Sequence, residues 1–192
     1  MLEPPVLITS DVKLRVLRKT DVPALLEVAQ DKDMWRWFTI DLSDWGRMEF
    51  WVEKLLQKME TGTMIPLVIE DLKSGRLAGS SSFMNIAEED LCLEIGTTWI
   101  GKEFHGTGIN YHMKYAMLHH AFDVWNFERV ELRTDALNVR SRRAIEKIGA
   151  NYDGMFKNHR FNKEGGRRDS VIYSILKQDW PEIRTTIFSH VQ

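Results

Sequence analysis

The spacing of apolar and polar positions changes period several times along the chain, and each change marks an element. Residues 12–18 read Val-Lys-Leu-Arg-Val-Leu-Arg, a period of two that predicts a half-buried strand. Thr20 then stands as the N-cap of a helix running to about residue 30, with Pro23 tolerated in its first turn. Ser43 opens a second helix to about residue 61, because Trp45, Met48, Val52, Leu55 and Met59 recur every three or four residues before Gly62 stops the run. Residues 64–70 and 76–85 flank the turn cluster Lys73-Ser74-Gly75 and predict a hairpin. In the next strand, residues 91–100, Leu91, Leu93 and Ile95 alternate until Gly96, where a bulge or a close backbone approach is expected. A glycine-bearing loop at 101–108 leads into a helix to about residue 125, with Met113, Ala116, Met117, His120, Ala121 and Val124 on one face. A short strand at 129–133 follows, then a helix from Asn138 to Gly149 with Ala144, Ile145 and Ile148 turned inward. Strands at 151–159 and 169–176, joined by Gly165-Gly166, precede a short C-terminal segment.

The order β-α-α-β-β-β-α-β-α-β-β predicts a mixed α/β domain, with about seven strands in one twisted sheet and four helices. The β-α-β unit at 91–133 implies locally parallel pairing. With no repeat or linker in the way, residues 1–192 read as one domain with its core at about 12–177.

Composition narrows the function. The 26 basic and 28 acidic residues nearly cancel, which argues against a dedicated nucleic-acid binder. No apolar stretch approaches a membrane span, and residues 1–10 lack the basic and apolar regions of a leader, so no membrane partner is expected. The lone Cys92 can form neither an internal disulfide nor a multi-cysteine zinc site, which fits a reducing, cytoplasmic setting. The six histidines predict no metal: His112 and His119 lie a helical span of about 10 Å apart, and no His-Glu-x-x-His occurs.

The loop carries the chemistry. A helix start exposes unpaired N–H groups and the positive end of its dipole, and Gly106 and Gly108 let the backbone approach an anion closely. Ile109-Asn110 after Gly108 exclude a P-loop, and Tyr111 stands where a dinucleotide fingerprint needs glycine. Coenzyme A remains as a pyrophosphate carrier, beside the reading of a plain two-glycine turn.

Around this loop stand Glu94-Ile-Gly-Thr-Thr-Trp99, the run from Glu103 through Gly106-Thr107-Gly108-Ile109-Asn110 to Lys114, and Val130-Glu-Leu-Arg-Thr-Asp135. Further on come Asn138-Val-Arg-Ser141, Ile148-Gly-Ala150, Asn158-His-Arg160 and Arg168-Asp-Ser-Val-Ile-Tyr-Ser174. In these blocks and their order the chain resembles the GNAT superfamily of acyl-CoA-dependent N-acetyltransferases, in its RimJ/RimL-like branch. Glu103 departs from the Gln or Arg usual in that family's loop, His105 could partly replace a basic residue, and Tyr111 and His112 also depart from the branch pattern.

The resemblance implies the GNAT fold, acetyl-CoA as cosubstrate, and direct transfer to a primary amine in a ternary complex. It implies a protein N-terminal α-amine of ribosomal type as acceptor, with a small amine, amino acid or aminoacyl-nucleotide antibiotic as the alternative. A non-catalytic acyl-CoA sensor is a further alternative, and relatives often form homodimers. Glu94 is expected as general base and Ser141 as the group that protonates or stabilises the leaving thiolate. Gly96, Thr97, Thr98, His105, Gly106, Thr107, Gly108, Ile109, Asn110 and Asn138 are expected along the coenzyme, its pantetheine between strands 91–100 and 129–133. Asn138 also reads as a plain helix cap. Trp35, Trp37 and Phe38 are candidate acceptor walls, and Asp31, Asp33, Asp41 and Asp44 would favour a cationic amine.

Overall fold

The computed structural model describes residues 2–191, so Met1 and Gln192 of the expected domain lie outside the described residues. The strands are β1 (Leu7–Ile8), β2 (Val12–Val16), β3 (Met64–Asp71), β4 (Arg76–Ala87), β5 (Cys92–Ile100), β6 (Arg129–Asp135), β7 (Asn151–Phe161) and β8 (Arg167–Leu176). The helices are α1 (Val22–Val28), α2 (Trp45–Glu60), α3 (Ile109–His119), α4 (Val139–Glu146) and α5 (Trp180–Thr186), and a π-helical turn, His120–Val124, extends α3. One mixed sheet runs β1-β2-β3-β4-β5-β6-β8-β7. The expected seven strands become eight because two residues, Leu7 and Ile8, pair with Leu14 and Lys13 at the edge. Such a short strand has no period to read.

Local starts differ from the expected caps. Thr20 is not the cap of α1; a 3₁₀ turn, Lys19–Asp21, precedes it, and the Asp21 carboxylate accepts the Arg18 N–H at 2.8 Å and both Arg15 amino groups. Asp44 rather than Ser43 caps α2, accepting the Arg47 N–H at 3.0 Å. Met48, Val52 and Leu55 are buried along α2, but Trp45 is 49% exposed. A helical side chain leans over the turn before its own Cα, and Trp45, first in α2, has no such turn to cover. The C-terminal segment is the helix α5, whose Trp180 and Ile183 are buried with Phe188 in the same core. That core therefore extends past 12–177 at both ends, from Leu7 to Val191.

The two faces of the sheet have different covers. Trp99 of β5 turns to Trp35 and to Trp51 of α2, whereas Phe83 of β4 and Thr98 of β5 turn to His120 and Lys114 of the α3 segment. The feature that shapes the site is the β5–β6 pair. It is parallel, as the β-α-β order requires, but only Cys92↔Arg129, Leu93↔Val130 and Glu94↔Glu131 are in register. Beyond Glu94, β5 keeps to β4 as far as Gly79↔Ile100, and β6 keeps to β8 as far as Asp135↔Ser170. The two strands thus part into a fork whose facing edges have no partner strand.

Candidate functional site

Each arm of the fork ends in a helix start. β5 leads through Lys102–Phe104 to the glycine turn and α3, and β6 leads to α4. Gly106 (φ +77°) and Gly108 (φ +92°) hold left-handed conformations that L side chains rarely adopt, and a Cβ at Gly106 would meet nothing within 4 Å. Gly108 is the N-cap of α3 and supplies no side-chain cap, so the first N–H groups of Ile109 and Asn110 are left to an outside acceptor. Thr107 closes the turn, its hydroxyl donating to the Phe104 carbonyl at 2.8 Å.

His105 donates Nε2–H to the Ile100 carbonyl at 2.9 Å, which leaves Nδ1 to face Arg140 Nη1 of α4 at 3.5 Å. Arg140 thereby brings a permanent charge to the turn. Glu103 cannot donate to a phosphate; it forms a two-point pair with Arg76 at 2.8 and 3.0 Å and braces the loop on β4. Asn138 caps α4 by accepting the Ser141 N–H at 3.1 Å, so its plain capping role is realised. The Ser141 hydroxyl makes no hydrogen bond among the described residues.

The expected bulge lies one residue beyond Gly96. Ser82↔Gly96 and Ser80↔Trp99 leave an extra residue on β5, and Thr97 takes φ +50°. Thr97 and Thr98 are pinned by Ser82 and Ser81, each hydroxyl pair at 2.8 Å. Gly96 serves closeness: a Cβ there would stand 2.7 Å from the Met84 sulfur and 3.0 Å from Glu94 Oε1.

Glu94 sits at the crotch of the fork and is 6% exposed. Its Oε2 accepts Asn85 Nδ2 at 2.7 Å and lies 3.3 Å from Arg133 Nε, while Oε1 accepts no hydrogen bond among the described residues. Burial pushes its pKa above the usual carboxylate range, against the pull of Arg133 and the Asn85 hydrogen bond. Asn85 reaches it from a left-handed position, φ +50°, at the irregular end of β4. Neither Asn85 nor Arg133 carries a sequence signal that singles it out. On the other face Lys114 is buried, its Nζ donating to Thr98 Oγ1 at 3.3 Å, and burial lowers its pKa from 10.5 to about 7 while Glu94 pulls it back up.

The aromatic candidates separate. Trp35 is fully buried, donates its indole N–H to the Ala29 carbonyl at 2.8 Å and packs edge-on to Phe38 and Trp99, so it is core and not a wall. It falls in a 3₁₀ turn, Lys32–Trp37, where the helical period that marks core positions is missing. Trp37 and Phe38 remain half-buried, and the Trp37 carbonyl accepts Arg168 Nη1 of β8 at 2.8 Å. Three of the four nearby aspartates are occupied with local structure: Asp31 caps the turn and pairs with Lys102, Asp41 holds Ser43, and Asp44 caps α2, while Asp33 is exposed. Asp31, Asp41 and Asp44 are thus spent on the fold rather than gathered around one amine site.

Among the described residues no group of three or more His, Cys, Asp or Glu could hold a metal ion, and no helix is long and apolar enough to cross a membrane. The described structure shares its fold with a GCN5-related N-acetyltransferase from Brucella melitensis, at TM-score 0.90 and 22% identity over 98% of this chain and 86% of that one. It also matches Mycobacterium smegmatis RimJ in complex with CoA-disulfide, at TM-score 0.82 and 21% identity over 98% and 97% of the two chains. In sequence it is 33% identical over 109 residues to a Bacillus subtilis (strain 168) protein provisionally named ribosomal N-acetyltransferase YdaF, covering 57% of this chain and 58% of that protein. A protein named for ribosomal N-acetylation thus stands among its sequence relatives, in line with the branch expected from the sequence. Residues 11–151 match the Acetyltransferase (GNAT) domain, and the chain belongs to that family of acyltransferases.

Proposed function

We propose that the protein transfers the acetyl group of acetyl-CoA directly to a primary amine, with the α-amine of a protein N-terminus as acceptor. The observation that carries this reading is the fork: two parallel strands that part at Glu94 and lead to an uncapped, glycine-turned helix start. An extended chain with amide groups, as pantetheine is, can pair along the unpartnered strand edges as an added strand does. Its pyrophosphate then meets the first N–H groups of α3, with Arg140 beside them.

The transfer forms an N–C bond and breaks the C–S bond of the thioester. Glu94, with one oxygen free and a raised pKa, takes the proton from the attacking nitrogen, directly or through water. The Ser141 hydroxyl, at the head of the other arm, supplies a hydrogen bond or proton to the departing sulfur. A free α-amine, with pKa near 8, asks less of the base than a lysine near 10.4. The ribosomal acceptor rests on the name of the Bacillus subtilis relative, and the cytoplasm is the matching compartment. A small amine is the second reading, favoured by the half-buried Trp37 and Phe38.

Calorimetric titration with acetyl-CoA, and NADH as control, tests the coenzyme; mass spectrometry of peptide N-termini and small amines after incubation tests the transfer. Micromolar binding of acetyl-CoA alone with acetylated peptide is the expected result. Absence of acetyl-CoA binding overturns the reading, and binding without transfer to any amine would leave the sensor.

A further inference from the structure

The face of the sheet that bears Glu94 also gathers cations. Residues paired across a ladder share a face, so the pairs Glu94↔Glu131, Arg133↔Ile172 and Arg160↔Arg168, with alternation along β6 and β8, place Glu94, Arg133, Arg160 and Arg168 together. The Lys32–Trp37 turn roofs this face, because Arg168 reaches the Trp37 carbonyl. β7 bulges between Phe156 and Arg160, where Asn158 takes φ +50° and gives its N–H to Asp169 at 2.8 Å. The bulge packs His159 edge-on against Phe156, ring centroids 5.1 Å apart, next to Arg160 in the chain; burial first, then Arg160, Arg133 and Arg168, lower its proton affinity.

These groups have donor capacity to spare. Five buried side-chain nitrogens lack a hydrogen-bond partner among the described residues, and Arg133 Nε, His159 Nδ1 and Arg168 Nε are three of them. Arg133 Nε is near Glu94 but off the line of a hydrogen bond. Buried polar atoms without partners are rare, and three on the adjoining strands β6, β8 and β7 mark a place for an outside acceptor. The carboxylates at hand are committed: Glu131 to Arg129 and Arg133, Asp135 to Arg168 at 3.7 Å. The Arg160 side chain makes no hydrogen bond or ion pair among the described residues.

From this cluster we infer that the amine acceptor carries a carboxylate close to its amine, received by Arg160 with His159 and the free Nε–H of Arg168 while the amine faces Glu94. The inference rests on the reading of Glu94 as the amine end of the site. It replaces the cationic acceptor suggested by the aspartates with an acidic one. The carboxylate can come from an acidic side chain next to a peptide N-terminus or from the α-carboxylate of a free amino acid.

The test measures kcat/KM with acetyl-CoA for short peptides beginning Ser-Asp, Ser-Asn or Ser-Lys and otherwise identical, and for serine against serinamide, in wild type, Arg160→Gln and Arg160→Glu. A charge-assisted contact predicts a preference of about tenfold or more for the acidic member of a pair, levelled by Arg160→Gln and reversed by Arg160→Glu. Preference within the peptides identifies a side-chain carboxylate, and preference only for serine a free amino acid; both support the inference. Equal rates within every pair, preference for Ser-Lys, or an Asp preference that survives Arg160→Glu overturns it. Should no acceptor turn over, calorimetric binding of the same pairs to the CoA-bound protein decides. Acidic preference abolished by Arg160→Glu then upholds the inference while the transfer reading falls, and equal or absent binding overturns the inference itself.

Discussion

Replacing Lys114 by methionine should stabilise the protein, by an amount that depends on pH. The ammonium is buried with one hydroxyl, Thr98 Oγ1 at 3.3 Å, as its hydrogen-bond partner. Lowering its pKa from 10.5 to about 7 corresponds to roughly 5 kcal/mol against the charged form. From about pH 7 to about 10 the unfolded chain binds this proton and the folded chain releases it, so wild-type stability rises with pH across that window. Below about pH 7 both states hold the proton and the full penalty stands. Methionine fills a similar volume and loses a hydrogen bond worth about 1 kcal/mol, while Thr98 keeps its Ser81 partner. Local relaxation and water reduce the remainder, so the expected gain is on the order of 2–3 kcal/mol at neutral pH, vanishing near pH 10. Urea denaturation of both proteins over that range measures the difference, in which titrating groups not coupled to Lys114 cancel. A variant less stable than wild type at neutral pH, or a difference that does not change with pH, would refute the reasoning.

Glu94→Gln keeps the Asn85 contact but cannot take a proton; kcat/KM should fall about 10²–10⁴-fold, and the acid limb of the pH–rate profile, set by the raised carboxyl pKa, should disappear. Activity in the wild type should decline as pH falls through that pKa, and an unchanged limb in the variant would assign it to another group. Gly96→Ala places a Cβ 2.7 Å from the Met84 sulfur and 3.0 Å from Glu94 Oε1, so a loss of about 1–3 kcal/mol in thermal unfolding is expected, together with lowered kcat. Ser141→Ala leaves the Asn138 cap in place, since that bond uses the backbone N–H of residue 141. It should lower kcat far more than coenzyme affinity measured by calorimetry, and an unchanged kcat removes Ser141 from the mechanism.

The legible parts of the fold were those with a long period or a backbone demand. The alternation in β2 and the recurrence along α2 gave elements at the right places, and Gly106 and Gly108 stood out because few other residues tolerate their φ. Short pieces escaped: β1 has two residues, and α5 has seven beginning Trp-Pro. Which oxygen caps α2 depends on a geometry that Ser43 and Asp44 satisfy equally in sequence, and the Asp21 carboxylate turns back to Arg18 and Arg15 rather than capping α1. Around Glu94 the obstacle is sequence distance. Asn85, Arg133, Arg160 and Arg168 come from four different strands, and only strand order and register bring them to one face. Trp35 misled for a related reason, since an irregular turn can place an indole in the core without helical spacing to announce it.

The three-pair ladder between β5 and β6 has a thermodynamic consequence. On one side of it lie five strands and on the other three, and beyond Glu94 and Glu131 no strand-to-strand pairing ties the two sets together. Cohesion across that seam is therefore open to mass action: a ligand lying along both edges adds RT ln(1 + [L]/Kd) to folding, about 2.7 kcal/mol at a hundredfold excess over Kd. Amide exchange near Leu93 and Val130 should slow as ligand is added, so that occupancy of the fork registers as rigidity of the whole sheet.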